Sequence, residues 1–339
     1  METRRPILFV PGIARSQLYH PENGRKIWFS AAGFFAHREM LGISHPLAVK
    51  NNEVDLQTLP PLQREYGVMA QEIILIERLC IAFPDRPIYY FSYDFRRSCA
   101  ENAAALHAQV DFLRAQGAED VDIICHSMGG LITSACVKKY GSEHIHKIAA
   151  LSVPFEGSPE IIHIVLTGTI ISVPNYVVEP LGLTKEMLSE YPSFADLMPT
   201  REYLALHPMQ RGGVPLTPWE MEEVLAGLFQ ENYAKARAFQ DSVKTDGHNV
   251  LAGMPNTYFG IGIGKSTLHS VSLNEEGVKL ITEESSDGTV PYDSLVMDGY
   301  LSQISPDASG SPRIRRFLCS HSDILKFREP LNWLIEILA

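Results

Sequence analysis

The sequence predicts an α/β fold with a mostly parallel central sheet, because short apolar runs alternate with longer periodic stretches in its first half. The 339 residues, of which 45% are hydrophobic, suffice for one large core with an insertion. Parallel neighbours need crossover connections, and the alternation of strands and helices supplies them. The predicted strands are 7–10, 88–91, 121–125 and 148–153, and the predicted helices are 68–83, 101–115 and 129–140.

The alternation stops after residue 159, and residues 160–250 are mainly helical and irregular in pattern. We therefore expect residues 1–159 and 251–339 to form the catalytic core and residues 160–250 to form a cap or lid inserted into it. The longest periodic stretch of the cap is 219–243. The second half of the core is predicted to contain strands at 256–262, 278–281 and 313–319 and a closing helix at 323–338.

Composition narrows the class of protein and its partners. A net charge of -11 argues against nucleic acid, whose phosphates are bound by clustered Lys and Arg. The five cysteines are an odd number without CxxC spacing, which favours free thiols in a reducing compartment. No secretory signal pattern follows Met1, and the longest apolar stretch, 161–178, contains Pro174 and Asn175. These features predict a cytoplasmic protein without a membrane span.

A strand-to-helix turn holds the first candidate catalytic residue, Ser127. The order Cys125-His126-Ser127-Met128-Gly129 resembles the GxSxG elbow, with a cysteine in place of the first glycine. Such a turn presents the serine at a helix N-terminus, where free N–H groups favour a developing oxyanion. The Met128 N–H is the expected first donor. The alternative is that Ser127 is only a helix N-cap.

The partners that a serine nucleophile needs follow it in the chain. Asp287 lies in a Gly-containing turn at 286–291, and His321 lies between a predicted strand and the closing helix. Singly, Asp287 is also typical of a turn and His321 of a helix cap. The order serine, acid, base on loops after strands is that of the α/β-hydrolase fold, and it favours a catalytic triad.

The loop after the first strand is the predicted source of the second oxyanion donor. The turn Pro11-Gly12 ends that strand, and the Ile13 N–H follows it. Gly12 permits close backbone approach, so we predict that it contacts substrate, as we do for Trp28 in the same region. A common Pro-Gly turn and a packed aromatic ring are the alternatives. No metal or other cofactor is predicted.

Five segments match a known pattern in their order along the chain: 10–12 with 17–18, Tyr93-Asp94-Phe95-Arg96, 126–130, 154–158 and 287–291. Together they resemble the lecithin:cholesterol acyltransferase family of lipases and transacylases. The resemblance implies the triad Ser127, Asp287 and His321, the oxyanion donors Ile13 and Met128, and an acyl-lipid substrate. It departs at Cys125 and in the cap, which carries no recognisable match.

The predicted function is therefore that of a serine hydrolase that cleaves acyl esters through an acyl-enzyme. The alternatives are an acyltransferase with an alcohol acceptor and a ligand-binding protein on the same scaffold. The apolar segment 161–173 is either a lid helix that makes transient contact with a lipid surface or a helix buried on the core. The glycine-rich run 260–267 lacks the full phosphate-loop pattern, so no nucleotide partner is expected.

Overall fold

The computed structural model describes residues 5–28, 38–55, 70–169 and 183–339. Its strands include several short runs rich in β-branched and aromatic residues, which suit a pleated, half-buried surface. They are β1 (Ile7–Val10), β2 (Asn52–Val54), β3 (Ile88–Tyr90), β4 (Val121–His126), β5 (Ile145–Leu151), β6 (Gln210–Arg211), β7 (Val214–Pro215), β8 (Lys244–Thr245), β9 (His248–Asn249), β10 (Thr257–Ile263), β11 (Lys265–Asn274), β12 (Gly277–Ser286) and β13 (Ile314–Leu318).

The main sheet has seven strands in the order β13-β10-β5-β4-β1-β3-β2. Every pair is parallel except β2 with β3. The predicted α/β fold with a mostly parallel sheet is thus confirmed. Because parallel strands end at one edge, the loops after β1, β4 and β13 meet there.

Several helices begin at residues whose side chains accept hydrogen bonds from free N–H groups of the first turn. Ser98 and Glu101 form a capping box at the start of α2, and Thr217 and Glu220 form another at α8. The helices are α1 (Ala70–Ala82), α2 (Cys99–Ala115), α3 (Met128–Tyr140), α4 (Pro159–Thr167), α5 (Lys185–Glu190), α6 (Pro192–Asp196), α7 (Arg201–Leu206), α8 (Pro218–Phe229), α9 (Glu231–Ser242), α10 (Val250–Gly253), α11 (Tyr292–Val296) and α12 (Arg328–Leu338), with short 3-10 turns at Arg38–Leu41, Tyr300–Gln303 and Asp323–Leu325.

The main sheet is buried on both faces. Alternate side chains of β1 point to opposite sides, so Leu8 and Val10 join one hydrophobic cluster and Ile7 and Phe9 join the other. The first cluster includes residues of α2, α3 and the predicted cap, whereas the second includes residues of α1 and α12. This double burial explains why β1 is apolar throughout instead of alternating.

A second sheet, in the order β12-β11-β6-β7, links the predicted cap to the second half of the core. It pairs Ser272 and Leu273 of β11 with Gln210 and Arg211 of β6, across the predicted boundary at residue 250. Strand β11 was not predicted. The periodic stretch 219–243 forms two helices, which meet at Gln230 with φ 47°. The division into core and cap stays a prediction.

Residues 161–167 of the apolar segment 161–173 belong to α4, residues 168–169 follow its end, and residues 170–173 lie outside the described residues. Ile161, Ile162 and Ile164 are buried. A lid role for this segment stays a prediction. Within the described ranges, no helix is long and apolar enough to cross a bilayer.

Candidate active site

Ser127 occupies a sharp turn between β4 and α3. Its backbone angles are φ 54° and ψ -131°, a conformation that costs a residue with a side chain about 1–3 kcal/mol. A Cβ on Gly129 would lie 2.3 Å from the Val10 carbonyl oxygen, so only glycine fits two residues after the serine. The loop after β1 therefore packs directly on the start of α3, as an elbow requires.

Cys125 stands two residues before Ser127, where the elbow pattern has its first glycine. It is fully buried and pairs with Val10 of β1. Burial raises the pKa of the Cys125 thiol to about 12, so the residue is neutral and packs as a small apolar group. The cysteine that replaces the first glycine of the elbow pattern therefore fits within the buried strand β4.

Asp287 and His321, which the sequence places 34 residues apart, form a hydrogen-bonded pair. His321 Nδ1 lies 2.7 Å from Asp287 Oδ2, while Asp287 Oδ1 accepts hydrogen bonds from the backbone N–H of Thr289 (2.9 Å) and Val290 (2.8 Å). The carboxylate is fully buried with both oxygens engaged. Because the carboxylate only accepts hydrogen bonds, its contact with Nδ1 places a hydrogen on that nitrogen and leaves Nε2 as the ring atom that a neutral imidazole could use as a base.

The hairpin of β11 and β12, and not a strand of the main sheet, delivers Asp287. Ser286 pairs with Lys265 at the base of the hairpin, next to the end of β10. A Cβ on Gly262 would lie 3.0 Å from the Asp287 Cβ, so a glycine in β10 makes room for the acid. The glycine-rich run 260–267 therefore consists of two strands and a turn instead of a strand, a phosphate loop and a helix.

Two backbone N–H groups beside Ser127 suit an oxyanion hole. Met128 is the first residue of α3, where the N–H has no partner within the helix. In the part of the chain that the structure describes, neither Met128 nor Ile13 donates its backbone N–H to another residue. A Cβ on Gly12 would lie 3.0 Å from the Ser127 Cβ and 3.5 Å from its Oγ, so this loop is in contact with the candidate nucleophile.

Aromatic side chains hold the loop that contains Gly12. Tyr93 donates its hydroxyl to the Pro11 carbonyl (2.8 Å), and Trp28 donates its indole N–H to the Ala14 carbonyl (2.9 Å). Trp28 is only 2% exposed and packs against Phe95. The observed role of Trp28 is thus to support the loop, and substrate contact by Gly12 or Trp28 stays a prediction.

The Tyr93-Asp94-Phe95-Arg96 segment contains an ion-paired turn. Arg96 is fully buried, lies 2.7 Å from Asp94 Oδ2 and donates to the carbonyls of Gly42 (2.8 Å) and His45 (2.9 Å). A buried guanidinium with this many acceptors is a structural clamp. The segment therefore stabilises the surroundings of Tyr93, which supports the loop after β1.

Two residues outside the predicted catalytic set contact the loop of His321. His126 Nε2 lies 2.9 Å from the His321 carbonyl oxygen, and Arg15 Nη2 donates to Ser322 Oγ at 3.3 Å. Both contacts join residues far apart in the chain, so no local pattern predicts them. Across the described ranges, no cluster of three or more His, Cys, Asp or Glu residues is arranged to hold a metal ion.

The sequence matches the family model described as lecithin:cholesterol acyltransferase over residues 82–258, just over half of the chain. The chain belongs to the lecithin:cholesterol acyltransferase family. At the level of this family it is an acyl-ester hydrolase or acyltransferase of the lipase and esterase type. The matched range contains Ser127 but ends before Asp287 and His321. No curated protein matches the sequence.

Solved structures share the α/β-hydrolase fold of this family member. A chain of the Tle4-Tli4 complex matches with a TM-score of 0.68 at 14% identity, covering 99% of each chain. The mature form of lipase BlEst2 from Bacillus licheniformis has 11% identity and a TM-score of 0.44, covering 100% of this chain and 94% of its own. An α/β-hydrolase fold protein from Burkholderia ambifaria has 11% identity and a TM-score of 0.41, covering 99% and 90%.

Proposed function

We propose that this protein is a serine esterase of the lipase type that hydrolyses acyl esters through a covalent acyl-enzyme. The observation that carries the proposal is the buried pair of Asp287 and His321, whose loop contacts the strained elbow of Ser127. If Asp287 were only a turn residue and His321 only a helix cap, neither role would require a buried carboxylate hydrogen-bonded to the imidazole. The three residues together are typical of a triad.

In the proposed mechanism, His321 Nε2 takes the proton of Ser127 Oγ as that oxygen bonds to the ester carbonyl carbon. The N–H groups of Ile13 and Met128 stabilise the resulting oxyanion. The intermediate collapses, the ester C–O bond breaks, and His321 returns the proton to the leaving alcohol. Water then repeats the sequence and releases the acid. Asp287 orients the imidazole and stabilises its charged form throughout.

Family membership and the burial of the candidate site support the proposed substrate class. Membership of a lipase and acyltransferase family supports an acyl lipid or another acyl ester. Ser127 and His321 are each only 8% exposed, which favours electrostatic stabilisation over competition by water. We propose transient contact with a lipid surface as the means by which a long-chain ester reaches the site.

The experiment that tests this function is hydrolysis of p-nitrophenyl esters from acetate to palmitate by the wild type and by Ser127→Ala. We expect activity in the wild type and its loss in the variant, and the chain-length optimum separates a lipase from a small-ester esterase. A folded wild type without activity on any ester would favour the ligand-binding alternative.

Acyl transfer is the second candidate, and the family match favours it because that family includes acyltransferases. Both reactions share the acyl-enzyme and differ only in the acceptor. Adding an alcohol to the ester assay and analysing the products distinguishes them. A new ester formed in excess of free acid would indicate transfer, whereas free acid alone would indicate hydrolysis.

A further inference from the structure

The residue before the candidate nucleophile is a buried histidine. His126 ends β4, is 1% exposed, and lies between the loop after β1 and the loop of His321. On one side, a Cβ on Gly12 would be 3.3 Å from His126 Nδ1. On the other side, the His126 and His321 rings are 4.7 Å apart between centroids. The imidazole therefore touches the candidate oxyanion loop and the candidate base together.

The hydrogen bond of His126 fixes its tautomer. A carbonyl oxygen only accepts hydrogen bonds, so the contact of 2.9 Å between His126 Nε2 and the His321 carbonyl requires a hydrogen on Nε2. The backbone N–H of His321 donates in turn to the Asp287 carbonyl at 2.8 Å. Both backbone polar groups of His321 are thus held, one by the candidate acid and one by the neighbour of the nucleophile.

Resting on the function proposed above, we infer that His126 is a positioning residue: its Nε2–H holds the backbone of His321 so that the base faces Ser127. Arg15 stabilises the same loop by donating a hydrogen bond to Ser322 Oγ. A loop held at two successive residues keeps the imidazole near its working geometry before substrate arrives, which is where positioning contributes to rate.

The charge state of His126 suits this role. The ionisable groups that face it are His321, with Asp287 behind it, and Arg15. Burial lowers the pKa of His126 well below its ordinary value. The charges of His321 and Arg15 lower this pKa further, whereas the hydrogen bond to the His321 backbone raises it. His126 is therefore neutral at pH 7 and does not repel the imidazolium that forms on His321 during the reaction.

Two substitutions separate positioning from packing. His126→Gln places an amide N–H near the position of Nε2, whereas His126→Met has similar length and no donor. With p-nitrophenyl butyrate as substrate, we expect His126→Met to lower kcat on the order of 10-fold with little change in KM. His126→Gln should recover most of kcat. Fluorophosphonate labelling of Ser127 should slow in parallel. Equal kcat in all three proteins, or equal losses in both variants with lowered Tm, would overturn the inference.

A measurement independent of activity keeps this inference distinct from the proposed function. In wild type labelled with ¹⁵N-histidine, one of the 12 histidines should give a protected Nε2–H signal that does not titrate between pH 6 and 8 and is absent from His126→Gln. A His126 signal with the hydrogen on Nδ1, or with a pKa near 6.5, would overturn it. If the signal is as expected but no ester is cleaved, the proposed function fails and the His126 contact stands.

Discussion

Replacing Asp287 by asparagine changes one atom and should place the hydrogen of His321 on the wrong nitrogen. Asp287 Oδ1 accepts two backbone N–H groups, from Thr289 and Val290. An amide NH₂ in that position would lose both hydrogen bonds, each contributing about 1 kcal/mol. The amide oxygen should therefore stay there, and the NH₂ should face His321 Nδ1. Nδ1 must then accept, Nε2 carries the hydrogen, and no base faces the serine.

The expected loss in kcat is about 10⁴-fold, or about 5 kcal/mol in the activation barrier, because a base in the wrong tautomer cannot take the serine proton. The assay is hydrolysis of a p-nitrophenyl ester, with a thermal melt to verify folding. Asp323→Asn is the matched control, since Asp323 lies two residues from His321 and pairs with Lys326 instead. Less than a 10-fold loss in folded Asp287→Asn would refute the assigned role.

Two further predictions concern the oxyanion loop and the docking of α6. Gly12→Ala puts a Cβ 3.0 Å from the Ser127 Cβ, so kcat/KM should fall about 10²-fold. The control Gly227→Ala adds a Cβ in open space and should have no effect. Normal activity in Gly12→Ala would contradict this packing. Asp196 accepts the Cys99 N–H, and burial raises the pKa of this carboxyl to about 7. Since folding favours the protonated form, wild type should lose stability on the order of a few kcal/mol from about pH 4 to 7, measured by denaturant titration. Asp196→Asn should lack this slope, and an identical slope would refute the assignment.

The three candidate triad residues could be proposed from the sequence because their signals are local. Ser127 lies between an apolar strand and a helix, and Asp287 and His321 each follow a strand-like run, so the chain order alone suggests the constellation. The structure adds the distance between the acid and the base. It also shows that Asp287 comes from the hairpin of β11 and β12, which no local pattern indicated.

Strand β11 was not predicted because its apolar residues do not follow a regular period of two. Buried Ser270 and Ser272 interrupt the apolar alternation, and the register shifts twice, between Lys265 and Thr267 and between Leu268 and Ser270. Each shift moves the side chains to the other face of the strand. The preceding glycines made the segment resemble a loop.

Neither the break between α8 and α9 nor the contacts of His126 could be predicted from the sequence, for different reasons. Gln230 adopts φ 47°, and no glycine or proline lies within two residues of it to mark a turn. His126 bonds to a residue 195 positions away, and only the folded sheet brings the two loops together. Local chemistry thus identifies candidate groups, whereas their alignment depends on tertiary packing.

The central claim, a nucleophilic serine at residue 127, is tested most directly by mass spectrometry after reaction with a fluorophosphonate. We expect a single adduct on the peptide that contains Ser127, formed in the wild type and in Ser134→Ala, whose serine is buried in α3 and donates to the Gly130 carbonyl. Ser127→Ala should form none. An adduct on another residue, or no adduct in a folded wild type, would contradict the account.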